Sequence, residues 1–318
     1  MKDGKKAIDG FQKLVPGIRF TMNEKNARSS MSHFIQWKSF FINEESFRVS
    51  YDTLIAGRDT TINQLVSNQS KSRTLQQLRI VFENYRALYP YSAEIKIEQG
   101  KDFVRTAFTG KYFFNYPKEG GLNVRLFAGK FFYLGSQSFS KQFSTDRYHL
   151  NMTGANGNED YTYSDYFIGR NKFEKAASQQ IMMRDGAFKV RTELYADKVG
   201  KTDDWLGAIN LTTTIPSGVN PLSMLPVKIP LKLFADIGTY ADAWKRDADL
   251  DRFIFDAGLQ LSLFANIVNI YVPVVYSRVY KDYFQSVFEK KKRFFNTISF
   301  SIDITNFSLK KINRELDF

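Results

Sequence analysis

"RFIFDAGLQLSLFAN", residues 252–266, is the stretch on which the reading of this chain turns. Every second residue from Phe253 is apolar: Phe253, Phe255, Ala257, Leu259, Leu261 and Leu263. Between them stand Asp256, Gly258, Gln260 and Ser262. Successive side chains of a strand point to opposite faces, so a period of two marks a β-strand with one greasy and one polar face. Which solvent meets which face is the question this stretch raises.

The alternation recurs outward from there. Ile298, Phe300, Ile302 and Ile304 share one face, with Ser299, Ser301, Asp303 and Thr305 on the other. Ile209, Leu211, Thr213 and Ile215 alternate with Asn210, Thr212 and Thr214. Phe188, Val190, Thr192 and Leu194 alternate with Lys189, Arg191 and Glu193. Ile229, Leu231, Leu233, Ala235 and Ile237 alternate with a set that includes Lys232 and Asp236. Residues 102–116 and 122–135 read as a hairpin, with Pro117 and the pair Gly120–Gly121 in its turn. Further strands are expected at 15–23, 31–43, 46–56, 73–84, 90–99 and 267–276. The stretch at 73–84 also suits a helix, because Leu75, Leu78, Ile80, Val81 and Tyr85 recur at helical intervals. Residues 136–165 are polar and rich in Ser, Asn and Gly, and read as a long loop. In 277–293, Val279, Tyr280, Tyr283, Phe284, Val287 and Phe288 are spaced as in a short amphipathic helix, which runs into a basic stretch.

Strand length favours a membrane. Each arm of the hairpin has about a dozen residues, against about 5–6 for a soluble strand and about 9–11 for a tilted spanning strand. Composition points the same way. Aromatic residues make up 16% of the 318 residues, with 30 Phe and 17 Tyr, yet mean hydropathy is only −0.35. A membrane barrel combines these naturally, since half of each strand faces lipid and aromatic girdles sit at both interfaces. No run of about 18 apolar residues is present, so a spanning helix is excluded. There is no cysteine, which removes disulfides and thiolate metal sites. The net charge of +12 favours anionic partners. The start, "MKDGKKAIDG", has no apolar segment behind it, so the chain is expected to be a mature form or a piece of a longer polypeptide.

The expected fold is all-β: a closed antiparallel transmembrane β-barrel of about 12–14 strands. It spans residues 15–307, after a lead-in at 1–14 and before a tail at 308–318. The apolar faces turn to lipid, and side chains fill a polar lumen.

The C-terminal half resembles the barrels of BamA-type insertases and two-partner-secretion transporters. "LFADIG" (233–238) matches their Phe-x-Asp-x-Gly element at Phe234, Asp236 and Gly238. "FDAGLQLSL" (255–263), "VNIYVPVV" (268–275) and "ISFSIDI" (298–304) follow in the same order. "YFIGR" (166–170) stands near the place of their Arg-Gly loop motif, with the order reversed to Gly169–Arg170. A resemblance covering about residues 10–307 is to the C-terminal region of membrane-associated gluzincin (aminopeptidase N-like) metallopeptidases of Bacteroidota. It is carried by "NYRALYPYSAEIKIEQGKDFV", "GLNVRLFAGKFF", "YFIGRNKFEKAASQQI" and "FDAGLQLSLFANIVNIYVPVVYS". These resemblances imply a bacterial outer-membrane location. The transporter likeness also implies a lumen contact between Arg170 and one of two acids, Asp236 or Asp256. The peptidase signature His-Glu-x-x-His is absent, and the histidines are His33 and His149 alone, so no peptidase activity is carried over.

Other constellations are weaker. Asp247, Asp249 and Asp251 alternate as in a calcium loop but lack its Gly and distant Glu, and read as a solvated loop. No Gly-x-Ser-x-Gly or phosphate-loop pattern occurs. Lys290, Lys291, Lys292 and Arg293, followed by Phe294–Phe295, are candidates for contact with lipid phosphates at the membrane rim. No cofactor, metal or nucleic acid is expected. The expected partners are outer-membrane lipid, lipopolysaccharide and a protein in a larger envelope complex. The expected function is a non-catalytic barrel that anchors or displays a peptidase-like partner. The alternatives are BamA-like polypeptide insertion or translocation, and a soluble β-rich basic binding protein.

Overall fold

A computed structural model describes residues 10–22, 29–56, 59–117, 119–135, 149–154, 176, 179–191, 200–216, 218–224, 230–248, 251–264 and 266–303. One antiparallel sheet of 12 strands dominates it. In chain order its strands are β1 (Gly10–Leu14), β2 (Gly17–Met22), β3 (Met31–Ala56), β4 (Asp59–Asn84), β5 (Tyr91–Gln99), β6 (Phe103–Asn115) and β7 (Gly121–Tyr133). Four short strands follow: β8 (Leu150–Asn151), β9 (Thr153–Gly154), β10 (Phe188–Arg191) and β11 (Lys201–Thr202). The large sheet resumes with β12 (Trp205–Thr214), β13 (Leu231–Tyr240), β14 (Ile254–Leu263), β15 (Val268–Tyr276) and β16 (Ser299–Ile302). Two helices, α1 (Arg278–Val287) and α2 (Arg293–Thr297), connect β15 to β16. No described helix is long and apolar enough to cross a membrane.

Neighbouring strands of the large sheet are mostly neighbours in sequence, as expected of successive hairpins. The order runs β1–β3–β4–β5–β6–β7–β12–β13–β14–β15–β16, and β2 also lies on β3. Among the described residues β16 does not pair with β1 or β2, so the sheet ends in two edges where a closed ring was expected.

Several sequence boundaries shift. The lead-in contributes β1, which pairs with Phe41–Glu45 of β3. The stretch 46–56 is not a separate strand. It continues 31–43 as one 26-residue strand, and β4 matches it over its whole length. No Gly or Pro interrupts 43–46, and the ladder with β4 runs through it. The 73–84 stretch is strand, because its backbone pairs on both sides, with β3 and with β5.

The burial pattern shows which face of the sheet is covered. Along β14, Asp256, Gln260 and Ser262 are buried, while Phe255 and Leu259 are exposed. Along β16, Ser299 and Ser301 are buried and Phe300 and Ile302 half-buried. Leu126, Leu233 and Ile237 are 45%, 45% and 47% exposed, while Glu98, Asp236 and Asp256 are 0%, 2% and 0%. The sheet is inside out relative to a soluble sandwich, which hides its apolar face.

The interior is not uniformly polar. One hydrophobic cluster joins Phe40, Phe103, Phe127, Phe131 and Tyr240 of the wall to Leu150, Met152 and Phe188 of the interior and to Tyr280 and Phe284 of α1. The sheet curls round these groups. About eight strands suffice for wall side chains to fill an interior, and a wider ring leaves space. Here chain segments occupy that space, where side chains alone were expected. The β7–β12 connection contributes β8, β9, β10 and β11, which pair with each other and not with the wall.

Candidate functional site

The site grows from one rung of the sheet. Pairing aligns Ser92, Lys111, Arg125, Asn210, Asp236 and Asp256 across β5, β6, β7, β12, β13 and β14. Asp236 and Asp256 lie directly opposite one another. Like charges at such a position repel, and burial sharpens the cost. The compensation comes from the inward loop. Lys189 Nζ lies 2.7 and 2.8 Å from the two carboxylate oxygens of Asp236. Asp256 Oδ2 accepts the backbone N–H groups of Lys189 and Val190, each at 2.9 Å. Asp256 Oδ1 is buried without a hydrogen-bond partner among the described residues.

Neighbouring wall strands extend this latch. Asn210 Nδ2 donates to Asp236 Oδ1 at 3.0 Å and to the Gly186 carbonyl at 2.8 Å. Arg125 Nη1 donates to the Asp185 carbonyl at 2.7 Å and to Asn210 Oδ1 at 2.8 Å. Ser299 Oγ of β16 donates to the Lys189 carbonyl at 2.5 Å. One loop segment is thus tied to β7, β12, β13, β14 and β16. Its tip is a tight turn, with Asp185 and Ala187 at φ of 48° and 53° on either side of Gly186. Two non-glycine residues in the left-handed region store strain that the surrounding bonds hold in place.

Every named residue of the Phe-x-Asp-x-Gly element serves the loop. The Lys189 ammonium lies 5.2 Å from the Phe234 ring centroid, within cation–π range. Asp236 pairs with the same ammonium. Gly238 leaves the space taken by Met152, whose sulphur a Cβ there would overlap.

Of the expected lumen network, Asp236 and Asp256 are brought together, and Arg170 lies outside the described residues. The cation seen on Asp236 is Lys189, which alternation had placed in a wall strand. That placement is corrected: all four residues of β10 are buried, and β10 pairs with β9. Phe188 and Val190 join the hydrophobic cluster while Lys189 meets the acids, so an interior strand shows the wall's period.

The basic run lies elsewhere. Lys290, Lys291 and Lys292 are exposed and Arg293 half-buried at the turn between α1 and α2, beside exposed Phe294 and Phe295. Lys292 pairs with Glu289 at 3.3 Å. His33 lies on β3, 5.1 Å from the Phe82 ring between centroids, and is not grouped with His149. Among the described residues no group of three or more His, Asp or Glu is placed to hold a metal ion. No family model matches this chain, and no curated protein matches it in sequence.

Proposed function

We propose that this chain is a non-catalytic outer-membrane β-barrel whose role is to anchor or display a protein partner, with an interior loop locked to its wall. The observation that carries the reading is the inverted burial: acids and Arg105 inside, Leu, Ile and Phe outside. Exposed apolar groups run without interruption over Phe108, Leu126, Ile209, Leu211, Leu233 and Ile237 on four adjacent strands. A soluble monomer rarely shows so continuous a patch.

Aromatics flank that band. Tyr85, Tyr89, Tyr91, Phe114, Tyr116 and Phe264 are exposed at one end of the strands. Phe132, Trp244, Phe253, Phe294 and Phe295 are exposed at the other. Phe114 pairs directly with Leu122, so Leu122 to Phe132 measures the gap between the belts on β7. That gap is about 34 Å along the strand at about 3.4 Å per residue. With a tilt of about 40° the height is roughly 26 Å, close to the apolar band of about 25 Å of outer-membrane barrels.

In lipid the two sheet edges need partners, because no water is there to bond them. Our reading pairs β16 and the chain after it with β1 and β2. The connections 134–204, 241–253 and 277–298 all leave the same end of the sheet and are long, as extracellular loops are. That end carries Lys290 to Arg293, which we assign to lipopolysaccharide phosphates. The second reading, BamA-like polypeptide insertion, draws support from the edge of β1 and β2, which pairs with no further strand among the described residues, and from β16, whose outer edge meets only the isolated bridge from Gln180 to Phe300 among the described residues.

Membrane fractionation with gel mobility tests the first reading. The expected outcome is flotation with the outer membrane and a mobility shift on boiling. A chain that stays soluble without detergent sinks it. Insertion of a client strand by the reconstituted protein would favour the second reading instead.

A further inference from the structure

An interior cavity of about 210 Å³ lies between β4, β5, β6 and β7 and the loop tip at Met183–Asp185. Four cations line it, Lys96, Lys111, Arg125 and Arg184, against three acids, Glu83, Glu94 and Asp185. The acids are engaged. Glu94 takes Arg79 in two prongs, Nε to Oε1 at 3.0 Å and Nη2 to Oε2 at 2.8 Å. Glu83 accepts the Tyr85 hydroxyl. Asp185 accepts the Asn151 N–H at 3.2 Å through Oδ2 and faces Arg184 Nε at 3.4 Å through Oδ1.

Three of the cations retain unused capacity. Lys111 and Arg125 stand directly opposite each other on β6 and β7, a like-charge pair that repels unless an anion sits between. Lys111 forms no hydrogen bond or ion pair within the described residues. Among the described residues Arg125 bonds through Nη1, and its remaining N–H groups can meet a further acceptor. The nearest carboxylate to Lys96 is Glu98 at 3.9 Å, whose oxygens already accept Arg105 at 2.6 Å and Gln77 at 2.8 Å.

We propose that this cavity binds a compact oxyanion, a phosphate or carboxylate group, through Lys96, Lys111 and Arg125. The volume exceeds the share of several water molecules, about 30 Å³ each in the liquid, so an anion fits with water around it. Because the loop tip forms one side of the cavity, the bound anion also ties the loop to the wall. Binding to the folded, loop-in state raises its stability with ligand concentration.

The test uses the whole chain in a phosphate-free maltoside micelle at constant ionic strength. The thermal midpoint is followed against inorganic phosphate and, separately, acetate, with phosphorus NMR line broadening as a direct measure of phosphate binding. A saturable rise is expected with one or both anions, and the tighter one identifies the source as phosphate or carboxylate. Lys111→Gln and Lys96→Gln should each weaken binding about tenfold or more, while Lys281→Gln on α1 leaves it unchanged. No saturable response to either anion overturns the proposal, as does an equal response in wild type and both cavity variants. The proposal concerns the interior face alone, so it stands or falls separately from lipid contact outside, which flotation reads.

Discussion

Two buried charge clusters in this molecule use the same chemistry to hold different things. Glu98 on β5 takes Arg105 from β6 at 2.6 Å and Gln77 from β4 at 2.8 Å. All three strands are already joined by ladder hydrogen bonds, so this cluster reinforces contacts that exist without it. Asp236 and Asp256 instead bind Lys189, which belongs to a segment whose backbone pairs with the large sheet only at the isolated bridge Gln180–Phe300 among the described residues. Geometry, more than bond strength, separates a brace within the wall from a latch on the interior segment.

The largest effect is expected at the latch. Lys189→Ala leaves two opposed carboxylates without their cation, and breaking a buried pair costs about 3–5 kcal/mol. Limited proteolysis within 179–191 should rise sharply, with the wall strands still protected. Glu98→Gln comes next. It removes the carboxylate charge that Arg105 and Gln77 share, at a cost of about 2–3 kcal/mol. The temperature of the gel-mobility shift should fall while the loop stays protected. If both variants free the loop equally, the distinction between brace and latch is lost.

The smallest effect is at Tyr280 of α1. Its hydroxyl is buried without a hydrogen-bond partner among the described residues, so Tyr280→Phe should change stability by no more than about 1 kcal/mol near neutral pH. Burial, aided by the Asp256 carboxyl, pushes this phenol well above its ordinary value. The native state holds it neutral, so its contribution is intact below the unfolded value of about 10 and declines as pH rises past it. Wild type should therefore lose stability above about pH 10 faster than Tyr280→Phe does, measured by denaturant midpoints.

Much of this was legible in the sequence. The period of two marked the strands β5, β6, β7, β12, β13 and β14, and placed Asp236 and Asp256 on one face. The helix α1 followed from the spacing of Tyr280, Phe284 and their neighbours. The return of the β7–β12 connection into the interior was not legible. Its strand β10 alternates like a wall strand because one side meets Tyr280 and the other meets acids. Alternation reports two different surroundings, and it does not say that one of them is solvent. The same limit hid Lys189, since spacing along the chain cannot show which charge folds back onto Asp236. The break expected near residues 43–46 failed because polar residues there, Asn43, Glu44 and Glu45, fit a strand as well as a turn.

The central claim is that the apolar face of the sheet meets acyl chains. The chain has no cysteine, so single-cysteine labelling reports one site at a time. Ile237→Cys on the outer face and Thr109→Cys on the inner face would each carry a fluorophore, in vesicles with brominated acyl chains. The account predicts strong bromolipid quenching at position 237 and little at 109, with aqueous iodide unable to reach 237. A label at 237 that iodide quenches and bromolipid does not would contradict it.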